Sequence, residues 1–361
     1  MSVFWNDRTK NLSPYIPGEQ PRDRQFIKLN TNENPYPPSP GVIEAIAKAA
    51  GDDLRLYPDP ACTSLREAVA ARYGLRPEQV FAGNGSDEVL GFAFGAFFAG
   101  GEDAPTILFP DITYSFYPVY AKLWDIPFRT VPLDGDFLIA AADYMCPSGG
   151  VVLPNPNAPT GTVLSPGEVF SMAECLEKQG KVLILDEAYI AFAGNECSAV
   201  SHIDKHPNLL VVHTLSKSAS LAGLRVGYAL GSEPLIEGLC RIRDSFNSYT
   251  LDRLALAGAV AAVSDVAYYD GINRRVVATR DRVTETLRGL GFTVLPSAAN
   301  FVFAKAPGIS GAELFSALRE RGILVRHFNS ERISDFLRVS IGTDDEMDVF
   351  LAQCREIHGK E

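Results

Sequence analysis

Between residues 40 and 260 the chain carries short apolar runs that show no polar alternation. Val182-Leu-Ile-Leu185 and Leu209-Leu-Val-Val-His213 are the clearest, and residues 106–109, 151–153 and 226–230 are of the same kind. A strand with one wet face must alternate, so uninterrupted runs predict strands covered on both faces. Helical patterns fall between them, at 41–50, 64–73, 86–99, 114–123 and 165–179. Ser64 and Glu67 stand at capping-box spacing and predict the start of the second helix. Such alternation predicts an α/β fold with a mostly parallel sheet between two helical layers.

After Ser264 the texture changes. A charge-rich helical stretch (266–290) precedes short strands at 292–295 and 300–304, a helix at 311–321, strands at 323–326 and 336–340, and a last helix from Asp344. The expected organisation is an N-terminal arm (1–35), a large α/β domain (36–264) and a smaller α+β domain (265–361). A chain of 361 residues is long enough for that division.

The net charge of −11 argues against nucleic acid or an anionic membrane surface as a partner. An anionic ligand would need its own local cluster of cations. The six cysteines (62, 146, 175, 197, 240 and 354) show no zinc-like or C-x-x-C spacing, as expected of free thiols in a reducing cytoplasm and of a chain without a metal. Residues 1–10 hold no apolar run of secretory type, and 89–99 is too short to span a bilayer and reads as a buried helix.

Open α/β sheets bind ligands at the carboxyl ends of their strands, and polar punctuation falls at those ends here. Gly83-Asn-Gly-Ser-Asp-Glu88 follows a strand at 79–82 and opens a helix. It is either a phosphate cradle built on free helix N–H groups or a plain N-capped turn. Pro154-Asn-Pro-Asn-Ala-Pro-Thr-Gly161 either aims an amide at a ring hydroxyl or is a proline-stiffened turn. Asp186 ends an apolar strand, where a carboxylate is costly without a partner. A protonated pyridine nitrogen is one partner; the alternative is an ordinary helix cap.

Lys217 lies in Ser216-Lys-Ser-Ala-Ser-Leu-Ala-Gly-Leu-Arg225. A lysine in a Ser-rich turn is ordinarily solvated, but here the flanks are small and apolar. An amine must shed its proton to attack an aldehyde, and burial near other cations lowers its pKa. Arg225 supplies such a cation together with a fork of donors for a phosphate. Lysine, arginine and strand-end carboxylate together describe a pocket for pyridoxal 5'-phosphate. No G-x-G-x-x-G turn of dinucleotide-binding type opens the chain.

The strings Asn30-Thr-Asn-Glu-Asn-Pro-Tyr-Pro-Pro38, Tyr57-Pro-Asp-Pro60, Gly83-Asn-Gly-Ser-Asp-Glu88, Asp186-Glu-Ala-Tyr189, the Lys217 segment and Phe336-Leu-Arg-Val-Ser-Ile-Gly342 carry a resemblance. From about Leu12 onwards the chain resembles the fold-type I pyridoxal phosphate aminotransferases, and within them the histidinol-phosphate branch. The resemblance implies a seven-stranded, mostly parallel sheet in the large domain and a homodimer. It makes Lys217 the residue that joins the cofactor aldehyde and shuttles protons, and Asp186 the partner of the ring nitrogen.

Tyr189 and Asn157 then bond the ring hydroxyl, and Tyr114 stacks on the ring. Gly85, Ser86, Ser216 and Arg225 hold the phosphate, beside Asp87, and Tyr57 reaches in from the other subunit. Relatives have asparagine directly before Pro-Thr-Gly where this chain has Ala158; Asn157 takes the role, with Asn155 in reserve. Arg338 binds the substrate's anionic end, helped by Arg326, while Tyr15 and Asn32 cover the substrate. A surface salt bridge for Arg326 and a core position for Tyr15 remain the alternatives.

The implied reaction takes small-molecule amine and 2-oxo acid substrates: L-histidinol phosphate and 2-oxoglutarate give imidazole acetol phosphate and glutamate. An aromatic amino acid aminotransferase, a phospho-amino-acid decarboxylase and a non-catalytic ligand sensor are the rival readings.

Overall fold

The computed structural model describes residues 3–15, 18–19 and 24–359. The expected arm therefore lies partly outside the described residues. Seven strands form the main sheet: β1 (Val80–Gly83), β2 (Ile107–Pro110), β3 (Phe128–Val131), β4 (Val151–Pro154), β5 (Leu183–Asp186), β6 (Leu209–Thr214) and β7 (Gly227–Leu230). Their order is β1-β7-β6-β5-β4-β2-β3, and only β7 runs antiparallel to its neighbours.

Every residue of β1, β2, β4, β5, β6 and β7 is buried, as the unbroken apolar runs require. Alternate residues feed opposite layers. Leu183 and Leu185 of β5 join a core built with helices Pro40–Ala49, Thr63–Tyr73, Pro166–Glu177 and Arg253–Ser264. Ile184 joins the core on the other face, with Gly85–Phe97, Tyr117–Leu123 and Glu233–Phe246.

Two expectations need correction. Ser64 and Glu67 form no capping box: the helix starts at Thr63 after Cys62, and the Thr63 N–H donates to Asp59 Oδ2 at 2.6 Å. Asp59 caps from the preceding turn because Cys62 sits in the left-handed region (φ 50°), which brings Asp59 over the first free N–H groups. The helix expected from 114 starts at Tyr117, since Pro118 cannot donate inside a helix and suits its first turn.

In the C-terminal part, an antiparallel sheet of four strands runs in the order Arg326–His327, Phe336–Ser340, Phe301–Lys305, Thr293–Val294. Helices Val266–Gly289, Gly311–Glu320 and Asp344–His358 contribute to its core. The short strand Ile27–Lys28 pairs in parallel with Ile323–Leu324, and Ser340 N–H donates to Leu29 O at 2.9 Å. These bonds lead residues 30–33 out of that sheet towards the strand ends of the main one. Among the described residues no helix is long and apolar enough to cross a membrane, and no His/Cys/Asp/Glu cluster could hold a metal ion.

Candidate active site

A cavity of about 280 Å³ opens at the carboxyl ends of β4, β5 and β6, lined among others by Ser86, Tyr114, Asp186, Lys217, Arg225 and Arg338. At one end, β1 turns into the helix Gly85–Phe97. Gly85 has φ +80°, and a Cβ there would lie 2.5 Å from Arg225 Nη2. A Cβ on Gly227, where β7 starts, would lie 2.3 Å from Ser86 N. Two missing side chains therefore let the helix start, its unpaired N–H groups and a guanidinium share one corner. Gly227 was not singled out in the sequence, because nothing in Val226-Gly-Tyr228 shows what crosses it.

Arg225 is itself left-handed (φ 54°). Its Nη2 donates to Asp87 Oδ2 at 2.8 Å and its Nη1 to Ser216 Oγ at 3.4 Å. Asp87 Oδ1 accepts from the Tyr114 hydroxyl at 2.6 Å. Gly85, Ser86, Asp87, Tyr114, Ser216 and Arg225 thus form one cluster, drawn from three separate chain segments.

The second cluster is at Asp186. Its side chain is buried, Oδ1 accepts from Ala188 N–H at 3.2 Å, and Oδ2 accepts from the Tyr117 hydroxyl at 3.1 Å. Among the described residues no cation pairs with it. Burial accordingly pushes its pKa up to about 7, against the pull of the Tyr117 hydroxyl. The helical reading of 114–123 hid Tyr117. It stands one turn after Tyr114, which is the signal that could have found it.

Lys217 lines the same cavity and donates from Nζ to Thr31 O at 2.9 Å. Burial lowers its pKa to about 8, with Arg338 the next largest cause and Arg225 the smallest. The sequence pointed to Arg225 as the neighbouring cation. Its Asp87 partner outweighs it at this site, and Arg338 acts instead.

The Tyr189 hydroxyl accepts from Asn32 Nδ2 at 3.0 Å, and Asn32 Oδ1 accepts from Ser340 Oγ at 2.9 Å. Asn32 is left-handed (φ 56°) and buried, with both side-chain polar atoms engaged. It holds Tyr189 in place and itself lines the cavity.

The two asparagines sit in a tight loop beside the cavity. Asn157 is buried and its Nδ2 donates to Ile112 O and Thr160 Oγ1, each at 3.0 Å, which ties the amide into the loop. Asn155 Oδ1 accepts from Leu164 N–H at 2.8 Å, also within the loop. The residues of this loop that line the cavity are Pro154, Pro156 and Ala158, while Asn157 Oδ1 and Asn155 Nδ2 are buried without a partner. Tyr57 does not reach its own chain's cavity: it is 78% exposed and stacks on Tyr249 at 4.5 Å between ring centroids.

At the other end of the cavity stand Arg326 and Arg338, paired directly across the antiparallel ladder. Arg338 Nη2 donates to Asn30 O at 3.1 Å, its Nε is buried without a partner, and the guanidinium lies 5.5 Å from the Phe301 ring. Among the described residues no carboxylate lies within ion-pair distance of either arginine. Like charges opposed in a ladder are unfavourable unless an anion comes between them. Arg326 is therefore not the salt-bridged surface residue of the alternative reading. Tyr15 lines the cavity 4.3 Å from the Phe116 ring. Glu33 also lines it, an acidic residue the sequence reading passed over.

Over residues 24–353 the chain matches the family described as aminotransferase class I and II. It is a member of that family. It is 52% identical to the histidinol-phosphate aminotransferase of Clostridium acetobutylicum, with 99% of each chain covered. It is 54% identical to histidinol-phosphate aminotransferase 1 of Bordetella parapertussis, again with 99% of each covered. Among solved structures, the histidinol-phosphate aminotransferase of Sinorhizobium meliloti in complex with pyridoxal-5'-phosphate superposes with a TM-score of 0.87. That pair is 26% identical, over 99% of this chain and 98% of the other.

Proposed function

We propose that this aminotransferase uses pyridoxal 5'-phosphate to convert L-histidinol phosphate and 2-oxoglutarate into imidazole acetol phosphate and glutamate, a step of histidine biosynthesis. The observation that carries the substrate is the Arg326–Arg338 pair, opposed in register and without a carboxylate. A phosphate monoester dianion is matched by two guanidiniums better than by one. A 2-oxo acid offers a carboxylate to the same groups.

The residues fit the cofactor. Asp186 is a buried carboxylate lacking a cation, and the missing Cβ at Gly85 lets the Arg225 guanidinium close on the helix start. Bound pyridoxal phosphate supplies an electron sink for the substrate's amine-bearing carbon when that carbon loses its proton. Asp186 would hold the ring nitrogen, Tyr189 the ring hydroxyl, and Ser86, Ser216 and Arg225 the phosphate. Asp87 orients Arg225, and Tyr114 stands beside the ring.

Lys217, with its pKa near 8, has an appreciable neutral fraction at physiological pH. As a free amine it takes the proton from the substrate carbon and returns it. Holding that base in place substitutes for a bimolecular encounter, which contributes up to about 7–11 kcal/mol. Tyr15 closes over the substrate beside Phe116.

The organisation we propose is an arm (1–35), a larger cofactor-binding unit (36–264) and a smaller unit (265–361). Tyr57, Leu54, Leu56, Ile43 and Phe246 are exposed. Apolar exposure of this kind supports a homodimer in which Tyr57 reaches the partner's cofactor. The six unpaired cysteines support a cytoplasmic location.

Steady-state kinetics with histidinol phosphate beside phenylalanine test the substrate. A higher kcat/KM for histidinol phosphate is expected; a higher value for phenylalanine replaces this reading with an aromatic aminotransferase. Borohydride reduction of the yellow holoenzyme should fix the cofactor at Lys217.

A further inference from the structure

A second cavity, of about 80 Å³, shares Ala188 and Thr214 with the first and is lined among others by Tyr73, Glu187, His213 and Tyr228. Glu187 Oε2 lies 2.8 Å from His213 Nε2, and both residues are buried. The same oxygen accepts from Ser198 Oγ at 2.6 Å, and Oε1 accepts from Ala199 N–H at 2.8 Å. His213 Nδ1 lies 3.1 Å from the Tyr73 hydroxyl and 3.3 Å from that of Tyr228, and those hydroxyls are 3.1 Å apart. Arg72 and Asp270 are the other charged residues lining this cavity. None of these groups enters the reaction described above.

Their place in the chain gives them a use. Glu187 directly follows Asp186, and His213 shortly precedes Ser216 and Lys217. Strands β5 and β6 pair as far as Asp186 opposite Val212, with a last backbone bond from Glu187 N–H to Val212 O at 2.8 Å. Beyond that point the chain turns away at Ala188, and backbone pairing between the two strands stops. The Glu187–His213 contact takes over where the ladder ends. Glu187 is anchored to Ser198 and Ala199 on one side, and His213 to Tyr73 and Tyr228 on the other.

We infer that Glu187 and His213 are positioning residues that fix the span between Asp186 and Lys217. The inference rests on the proposed roles of those two residues at opposite ends of one ring. A fixed span matters only to a ligand that engages both ends at once. Pyridoxal phosphate does so. Pyridoxamine phosphate carries an amine where the aldehyde stood and cannot join the lysine.

The test measures dissociation constants of both cofactors, with the cofactor-free protein's thermal midpoint as a stability control. In Glu187→Ala, pyridoxal phosphate should bind about tenfold more weakly, the size of one charge-assisted hydrogen bond, and pyridoxamine phosphate less than about threefold. His213→Asn, which keeps a group near Nδ1 but cannot reach Glu187, should show the same split. His213→Gln, which places an amide near Nε2, should restore it.

Equal losses for the two cofactors, or no loss, would overturn the inference and leave the pair a structural element. If Glu187→Ala does not fold, the Asn and Gln variants at position 213 decide alone. A wild-type protein that binds no pyridoxal phosphate, or is not fixed by borohydride at Lys217, would instead refute the parent assignment.

Discussion

The two ends of the cavity are built on opposite principles. At the Arg225 end the cation is already paired: Arg225 meets Asp87, which also accepts from Tyr114. At the Arg338 end two guanidiniums face each other without a carboxylate, and one Nε is buried unpaired. A satisfied cluster is rigid before any ligand arrives, as suits a cofactor that stays. An unsatisfied one carries an electrostatic cost that an anion relieves each time it binds, as suits substrates that come and go. Asp186 also lacks a counter-charge, although its proposed ligand is the cofactor, so the contrast holds between the two arginine clusters.

Removing the group between the two ends should have the largest effect. Lys217→Ala should lower turnover by at least about 10⁴-fold while leaving a folded protein that still binds cofactor without a covalent link. Retained turnover would show that the lysine is not the base.

The next largest effect concerns Asp186 in the cofactor-free protein. Its pKa of about 7 when folded stands above the ordinary 3.8, so the folded state binds more protons between those values. Stability then falls as pH rises through that window and is flat above it, by roughly 4 kcal/mol in all. Denaturant melts at several pH values should show this fall in wild type and its loss in Asp186→Asn. An identical pH profile in the two proteins would mean that Asp186 is ionised throughout and belongs with the satisfied end.

Third, Arg338→Ala should raise KM for histidinol phosphate on the order of 10²-fold and leave the cofactor's visible spectrum intact. A bleached spectrum would move that arginine to the cofactor end. Smallest is Tyr117→Phe, which removes one donor from Asp186. It should weaken pyridoxal phosphate binding about fivefold, measured by titration of the cofactor-free protein, with substrate KM unchanged.

The Arg225 end was largely legible in the sequence because its residues sit in three local strings, each at the end of an apolar run. The Arg338 end was only half legible. Arg326 and Arg338 could be named, but their opposition comes from the register of two short strands. The bonds of Asn32 were illegible for a similar reason, since its partners Tyr189 and Ser340 are distant in sequence.

Strand β3 escaped notice because Arg129 and Thr130 are exposed on an edge, so Phe128-Arg-Thr-Val131 has neither an apolar run nor alternation. Helix Arg253–Ser264 was missed because its run of Ala, Gly and Val shows little contrast between faces. The asparagine loop shows the limit of residue type without direction: one polar atom of each amide is tied within the structure, Asn157 Oδ1 and Asn155 Nδ2 are left without a partner, and Ala158 lines the cavity.

Strand β7 has a consequence for how such a protein is made. Gly227 pairs with Gly83 on one side and Thr214 on the other, so one late residue stitches the helix start at Gly85 to the turn that carries Lys217. A nascent chain stalled at residue 220 already contains the lysine, its carboxylate and the glycine turn, yet the halves have no seam. The seam closes only when β7 takes its place between β1 and β6, antiparallel to both.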